Sequence, residues 1–437
     1  MDIVKSIINE VDSLKDEMAE MCSSLVKINT VNPYAGMDPV GSEKDGQMFI
    51  KPILEDMGGD TRLFEPPDDI FSRMGVIGPA GRSWEGRPNL VTEFRFGRGR
   101  SIILNSHMDT VDVAGMKIEP FSGEISNGII YGRGASDDKG GMVSGIGAIK
   151  AVLKFADDLT GSIIHESVVG EECSGSGAGT LACCLEGISG DEAVVIDGGG
   201  LKVDRGCQGC LTADVLVRGR AGHAASGGVN AIDKACIVKN GIDRFRDERL
   251  AEHPGCPVNL GVFRSGVHPA VVPGSAVLSL NIVYSISEAA RNGKKGKGWN
   301  GLSVRETFND TVLRADTSDE WLDSHRSEVK WVKDLVPFET PEDAPVVRSL
   351  CRAYRAVTGT SQVPDIMSAW ADGANIARYA GIPTVLFGPG TENAGHSDSE
   401  SVRIDDIVTC AKILAVYLYN RLSRRTEKLC SSKGCGV

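Results

Sequence analysis

The sequence has no uninterrupted apolar run long enough to cross a membrane, which removes a helical membrane protein from consideration. It also lacks a basic excess: 47 Lys and Arg face 59 Asp and Glu, for a formal charge of −12. General nucleic-acid binding needs a basic face, so that class is excluded too. The opening stretch M-D-I-V-K-S-I-I-N-E-V-D-S-L-K-D-E-M is charged throughout and has no signal-peptide apolar core, so a cytoplasmic protein is expected. Its apolar residues Val4, Ile8, Val11, Leu14, Met18, Cys22 and Leu25 recur at helical spacing, which predicts an amphipathic helix packed on the domain. The twelve cysteines follow no disulfide framework. Cys207 and Cys210 form a C-x-x-C with no second pair behind it, and Cys430 and Cys435 belong to a polar tail.

What remains is an ordinary globular composition, 41% hydrophobic and 24% charged, in a chain of 437 residues that has room for two domains. From about 85 to 205, apolar runs alternate with helical stretches, which is βαβ grammar. The stretches 101–105, 162–169 and 193–196 read as strands, with helices over 140–155 and 177–185 between them. The same grammar resumes near the C-terminus, with helices over 345–357 and 404–422 and a buried strand at 383–387. In between lie strands at 211–217, 258–263, 276–283 and 329–336 and helices at 231–246 and 304–316. That order is βαββαβ, the split ferredoxin-like unit. The expected fold is α/β: a mostly parallel sheet in two chain segments, 1–207 and 337–437, with a ferredoxin-like unit inserted at 208–336. Within the insert, the Gly/Lys-rich R-N-G-K-K-G-K-G-W-N-G reads as a solvated loop.

Five positions follow or flank these apolar runs with side chains suited to a metal. They are His107 in S-H-M-D-T-V, Asp137 in G-R-G-A-S-D-D-K-G-G, the pair Glu171-Glu172 in V-V-G-E-E, Asp197 in V-V-I-D-G-G-G, and His396 in G-H-S-D-S-E. In an open α/β sheet, residues just past the carboxyl ends of parallel strands converge on one crevice. Imidazole and carboxylate without thiolate suit zinc or a neighbouring divalent ion. A two-ion hydrolytic site needs a bridging carboxylate, a histidine and a further acid on each ion, and a separate general base. The inventory here is sufficient. The adjacent Glu171 and Glu172 can divide ligation and base chemistry, because neighbours at a strand end point to opposite sides. Asp109, two residues after His107, can fix the imidazole tautomer.

These segments resemble the M20 metallopeptidases and amidohydrolases, a group that includes acetylornithine deacetylase, succinyl-diaminopimelate desuccinylase, aminoacylase and glutamate carboxypeptidase. S-H-M-D-T-V is similar to the family's H-x-D-x-V, and Y-G-R-G-A-S-D-D-K-G-G to its G-R-G-x-x-D-x-K-G-G. V-V-G-E-E and G-P-G-T-E-N-A-G-H-S-D-S-E resemble its acidic pair and its closing segment. The resemblance implies His107, Asp137, Glu172, Asp197 and His396 as ligands of two divalent ions, with Asp137 bridging. Zinc is favoured, and cobalt or manganese fits the same donors. It implies Glu171 as general base and Asp109 as the orienting residue; Asp138 falls where the family varies. R-A-G-H-A-A-S-G-G-V-N-A-I resembles the family's lid segment, which assigns His223 to the substrate carbonyl and implies a homodimer formed through the lid. His165, His253, His268 and His325 match no family position and read as structural or exposed.

The expected activity is hydrolysis of an amide bond in a small polar molecule, in the manner of an N-acyl-amino-acid deacylase of the acetylornithine deacetylase or desuccinylase type. The same machinery serves a di- or tripeptidase or carboxypeptidase, and a non-catalytic binding protein on this fold would have lost the base or a ligand. The lid departs from the family in two places: H-P-A-V-V-P and L-N-I-V-Y put Ala270 and Val283 where the family carries Asn and Arg. Those two family residues help to recognise a substrate carboxylate. His268 or Arg264 is the candidate to substitute, and nothing in the sequence places either in the cleft.

Overall fold

The computed structural model describes residues 3–36, 39–172, 175–290, 299–391 and 394–424. Most of the Gly/Lys-rich stretch, and Cys430 and Cys435 of the tail, lie outside those residues. Six strands of the main sheet come first: β1 (Asp60–Phe64), β2 (Asn89–Arg95), β3 (Ser101–His107), β4 (Ser162–Val168), β5 (Glu192–Val195) and β6 (Asp204–Cys207). Then come β7 (Gly209–Arg218), β8 (Val258–Ser265), β9 (Ser275–Tyr284) and β10 (Glu328–Leu335). The strands β11 (Phe338–Glu339), β12 (Asp365–Met367) and β13 (Thr384–Leu386) return to the first group.

The first and last groups make one sheet in the order β1-β2-β4-β3-β5-β13-β6-β11, with β12 added on β6. Its centre, β4-β3-β5-β13, is parallel, while β1, β2 and β11 pair antiparallel at the edges. The sheet is therefore mixed, with a parallel middle. Central strands buried on both faces read as continuous apolar runs, as I-I-L in β3 and V-V in β5 do. The edge strand β1, D-T-R-L-F, is half exposed and carries no such run, so sequence pattern misses it.

Helices α1 (Ile3–Ser13), α2 (Lys15–Lys27), α3 (Glu43–Asp56), α4 (Gly140–Leu153) and α5 (Ala178–Leu185) precede the central unit. Within it lie α6 (Ala231–Glu252) and α7 (Leu302–Thr317), and after it α8 (Pro345–Thr358) and α9 (Ile404–Leu422). The amphipathic N-terminus is two helices meeting at Leu14, and Ile7, Val11, Leu14, Met18, Cys22 and Leu25 join the main core. That core also takes α4, α8 and α9. A smaller apolar cluster, with Ile103, Ala193, Val195 and Leu386, covers the other face of the sheet.

The middle of the chain builds its own sheet, β8-β9-β7-β10, antiparallel throughout. Alternation in β7 buries Leu211, Ala213, Val215 and Val217 and leaves the residues between them half open. Leu278, Leu280, Val238, Ile242 and Phe308 complete a core separate from the main one. The order strand, helix, two strands, helix, strand is the one the hydrophobic pattern predicts. A two-residue ribbon, Gly222–His223 against Val271–Val272, stands apart from this sheet.

Candidate active site

Three parallel strands deliver their neighbouring residues to one place, as expected at the carboxyl edge of such a sheet. His107 is the last residue of β3, Glu171 and Glu172 follow β4, and Asp197 follows β5. Asp137 arrives from the turn that leads into α4, and His396 from a loop where its backbone is left-handed, φ 61°. Ligand atoms of His107, Asp137 and Glu172 all lie within 4.8 Å of one another. His107 Nε2 is 3.0 Å from Asp137 Oδ1. His396 Nε2 is 2.9 and 3.0 Å from the two oxygens of Glu172 and 3.5 Å from Asp137 Oδ2. Asp137 therefore turns one oxygen toward each imidazole. Two glycines permit this crowding: a Cβ at Gly395 would sit 2.8 Å from Asp137 Oδ2, and one at Gly141 would sit 2.0 Å from Asp138 Oδ1.

Burial and mutual repulsion dominate the electrostatics. Burial, then the charge of Asp137, pushes Glu172 up to about 7 and Asp197 up to about 6. Glu171 is held well above the usual carboxylate range by burial and by Glu172, Asp372 and Asp197. Burial also acts on Asp137, but its bond to His107 and the charges of His107, His396 and Arg133 hold it below its usual value. His396 is raised to about 9, first by its bond to Glu172. Burial disfavours charge on His107, and its bond to Asp137 with the charge of Glu171 outweighs that.

Here carboxylates outnumber imidazoles in a buried space, a surplus that divalent cations would neutralise. The donor chemistry fits as well. His107 Nδ1 is 2.9 Å from the Asp109 carbonyl oxygen, so Nδ1–H donates there, and Nε2, which faces Asp137, is the nitrogen that would bind a metal ion.

Asp109 acts differently from the expectation. Its carboxylate is 3.8 Å from His107 Nδ1, and its own backbone carbonyl holds the ring. The carboxylate instead accepts the backbone N–H groups of Glu171 and Glu172, both at 3.0 Å, and Asn32 Nδ2 at 2.8 Å. It thereby fixes the start of the acidic pair, being fully buried itself.

Several supporting residues escaped the sequence reading. Glu400 accepts the backbone N–H groups of Ser136 (3.0 Å) and Asp137 (3.1 Å) on Oε1, and Arg133 Nη1 donates to its Oε2 at 2.6 Å. Asp138 is buried, and its Oδ2 accepts the His107 backbone N–H at 3.2 Å. Lys139 is buried, its Nζ donating to the Ile28 carbonyl at 2.8 Å. Asp372 accepts Thr180 Oγ1 at 2.7 Å and adds negative charge near Glu171. The motif strings contain Arg133, Lys139 and Glu400, but only spatial contact reveals what they hold. His223 does not join the cluster: it is exposed on the ribbon, and its hydrogen bonds among the described residues are local.

This assembly, acids and imidazoles at the carboxyl edge of a parallel sheet with a separate antiparallel unit, is that of a metallohydrolase. Residues 103–420 match the model of Peptidase family M20/M25/M40, and the chain belongs to that family. It is 27% identical over 451 aligned residues to N-formyl-4-amino-5-aminomethyl-2-methylpyrimidine deformylase of Halalkalibacterium halodurans, covering 96% of this chain and 97% of the relative. Among solved structures it is similar to the dipeptidase Dug1p of Saccharomyces cerevisiae, with TM-score 0.72, 16% identity, and 95% and 98% of the two chains covered. It is also similar to YxeP of Bacillus subtilis, a dinuclear metal-binding peptidase, with TM-score 0.58, 13% identity, and 94% and 99% covered. The protein is an enzyme of amide- or peptide-bond hydrolysis. No helix among the described residues is long and apolar enough to cross a membrane.

Proposed function

We propose that this enzyme is an N-acyl deacylase that removes a small acyl group from an amine bearing no carboxylate. The observation that carries this reading is the composition of the lid. Ala270 is exposed at the ribbon and Val283 lies half-open on β9, and neither offers a donor to an anion. A substrate of the acetylornithine or succinyl-diaminopimelate type would bring a carboxylate to that lid. The substrate named for the full-length relative, a formamide on an aminomethylpyrimidine, contains none. A peptidase is the second reading, because the family is one of peptidases and the same machinery serves either bond.

His107, Asp137, Glu172, Asp197 and His396 would hold two divalent ions, zinc first by donor type and cobalt or manganese next. Such ions supply carbonyl polarisation and a more acidic water. The rest falls to the chain. Glu171, its backbone held by Asp109, takes the proton of the attacking water on its carboxylate and hands it to the departing nitrogen. His223 accepts the Ala225 N–H on Nδ1 at 3.2 Å, so its ring carries a proton on Nε2 and donates a hydrogen bond from there to the developing oxyanion.

Residues 208–336 act in this reading as the lid and as the contact between two copies, through β8, the edge strand of their sheet. The described cysteines all carry free thiols, in keeping with a reducing cytoplasm. The test is Glu171→Gln against a panel of the formylated aminomethylpyrimidine, N-acetylornithine and dipeptides. Turnover of the formamide should fall about a thousandfold with metal content and melting temperature unchanged. Wild-type turnover of dipeptides alone would overturn the deacylase reading, and an undiminished Glu171→Gln rate would remove the base.

A further inference from the structure

Two histidines stand on the lid ribbon, and their rings are fixed in the same way. His223 pairs in register with Val271, and His268 closes the turn into that strand, its carbonyl accepting the Val271 N–H at 3.0 Å. The Ala224 N–H donates to the Ala270 carbonyl at 3.0 Å, which ties the two turns together. His223 Nδ1 accepts the N–H of Ala225 at 3.2 Å, and His268 Nδ1 accepts the N–H of Ala270 at 3.1 Å. A neutral imidazole whose Nδ1 is an acceptor has its proton on Nε2. Both rings therefore present an Nε2–H donor outward, and both residues are exposed.

We infer that His268 is a specificity-determining residue. Its Nε2–H donates to an uncharged in-plane nitrogen acceptor on the amine half of the substrate, next to the carbonyl contact made by His223. This deepens the deacylase reading and rests on it. Ala270, directly after Pro269, leaves no side-chain donor at the position where the family has Asn, and His268 stands two residues before it on the same turn. Arg264 belongs to β8, where it pairs with Val277, and has no place on the ribbon. Among the described residues neither ribbon imidazole has an ion-pair partner, so both Nε2–H donors are left for an acceptor on the substrate.

The experiment compares wild type, His268→Ala and His268→Asn on N-formyl-4-amino-5-aminomethyl-2-methylpyrimidine and on N-formylbenzylamine, which lacks ring nitrogens. His268→Ala should raise KM for the pyrimidine about tenfold with kcat unchanged, the effect of one lost hydrogen bond. It should leave the benzyl compound unaffected, and His268→Asn should restore most of the loss. Equal effects on the two substrates, or none on either, overturn the inference. Calorimetry with the free aminomethylpyrimidine provides a reading independent of turnover. About tenfold weaker binding by His268→Ala supports the contact, and equal affinity removes it. If Glu171→Gln is inactive while His268→Ala is normal, only the His268 assignment fails. If Glu171→Gln is fully active, the catalytic reading fails and calorimetry still decides His268.

Discussion

Replacing Asp109 by Asn separates two roles that its position beside His107 would otherwise merge. The carboxylate takes the Glu171 N–H on Oδ1, and the Glu172 N–H and Asn32 Nδ2 on Oδ2. An Asn side chain best keeps its oxygen at the doubly bonded position, which turns its amide group against the Glu171 N–H. One charge-assisted hydrogen bond is lost and two donors face each other. The loss is about 2 kcal/mol, or about thirtyfold if it falls wholly on the placement of Glu171 in the transition state. The Asp109 carbonyl survives the substitution, so His107 keeps its tautomer. The expected result is kcat lowered at least about thirtyfold, with metal content near that of wild type by elemental analysis. Loss of one ion per chain, with unchanged kcat in the refilled enzyme, would refute this reasoning. It would mean that the carboxylate, not the carbonyl, orients His107.

Two further outcomes follow from buried groups. Glu400→Gln turns an amide donor toward Arg133 Nη1 and leaves that nearly buried guanidinium without its counter-charge. Unfolding free energy should fall by about 3 kcal/mol, and metal affinity by about tenfold or more because Asp137 loses its anchor; a metal titration and a urea melt check both. His165, in the middle of β4, is fully buried, neither ring nitrogen has a partner among the described residues, and burial lowers it from 6.5 to about 4. The unfolded chain therefore binds a proton that the folded one refuses, and stability present above pH 6.5 is lost as pH falls toward about 4. The gap is worth about 3 kcal/mol, so His165→Leu should flatten the decline in urea stability between pH 7 and 4.5. Parallel declines in the two proteins would show that His165 contributes nothing to it.

Much of this enzyme was legible because its strongest physical signals are local. The buried parallel strands announce themselves as apolar runs, and the candidate ligands stand where those runs stop. The alternation in β7 and the helical spacing in α6 and α7 give the order of the central unit. Elements without a burial signal stayed silent. β1 is a half-exposed edge strand, and β6 is the short D-R-G-C. Glu400 and Asp138 were also silent, since a carboxylate that accepts backbone N–H groups across the chain leaves no periodic trace. Asp109 was found for the wrong atom. Spacing placed its side chain beside His107, while the turn after β3 brought its carbonyl closer. His268 had no motif to mark it, and only the bond from the Ala270 N–H distinguishes it from a surface histidine.

The central claim is that His107 and His396 each face one of two cations with Asp137 between them. Anomalous diffraction at the zinc absorption edge from zinc-loaded crystals tests this most directly. Two peaks per chain are expected, one against His107 Nε2 and one against His396 Nε2, with an Asp137 oxygen reaching each. A single peak, or a pair that leaves either imidazole unbound, would contradict the account.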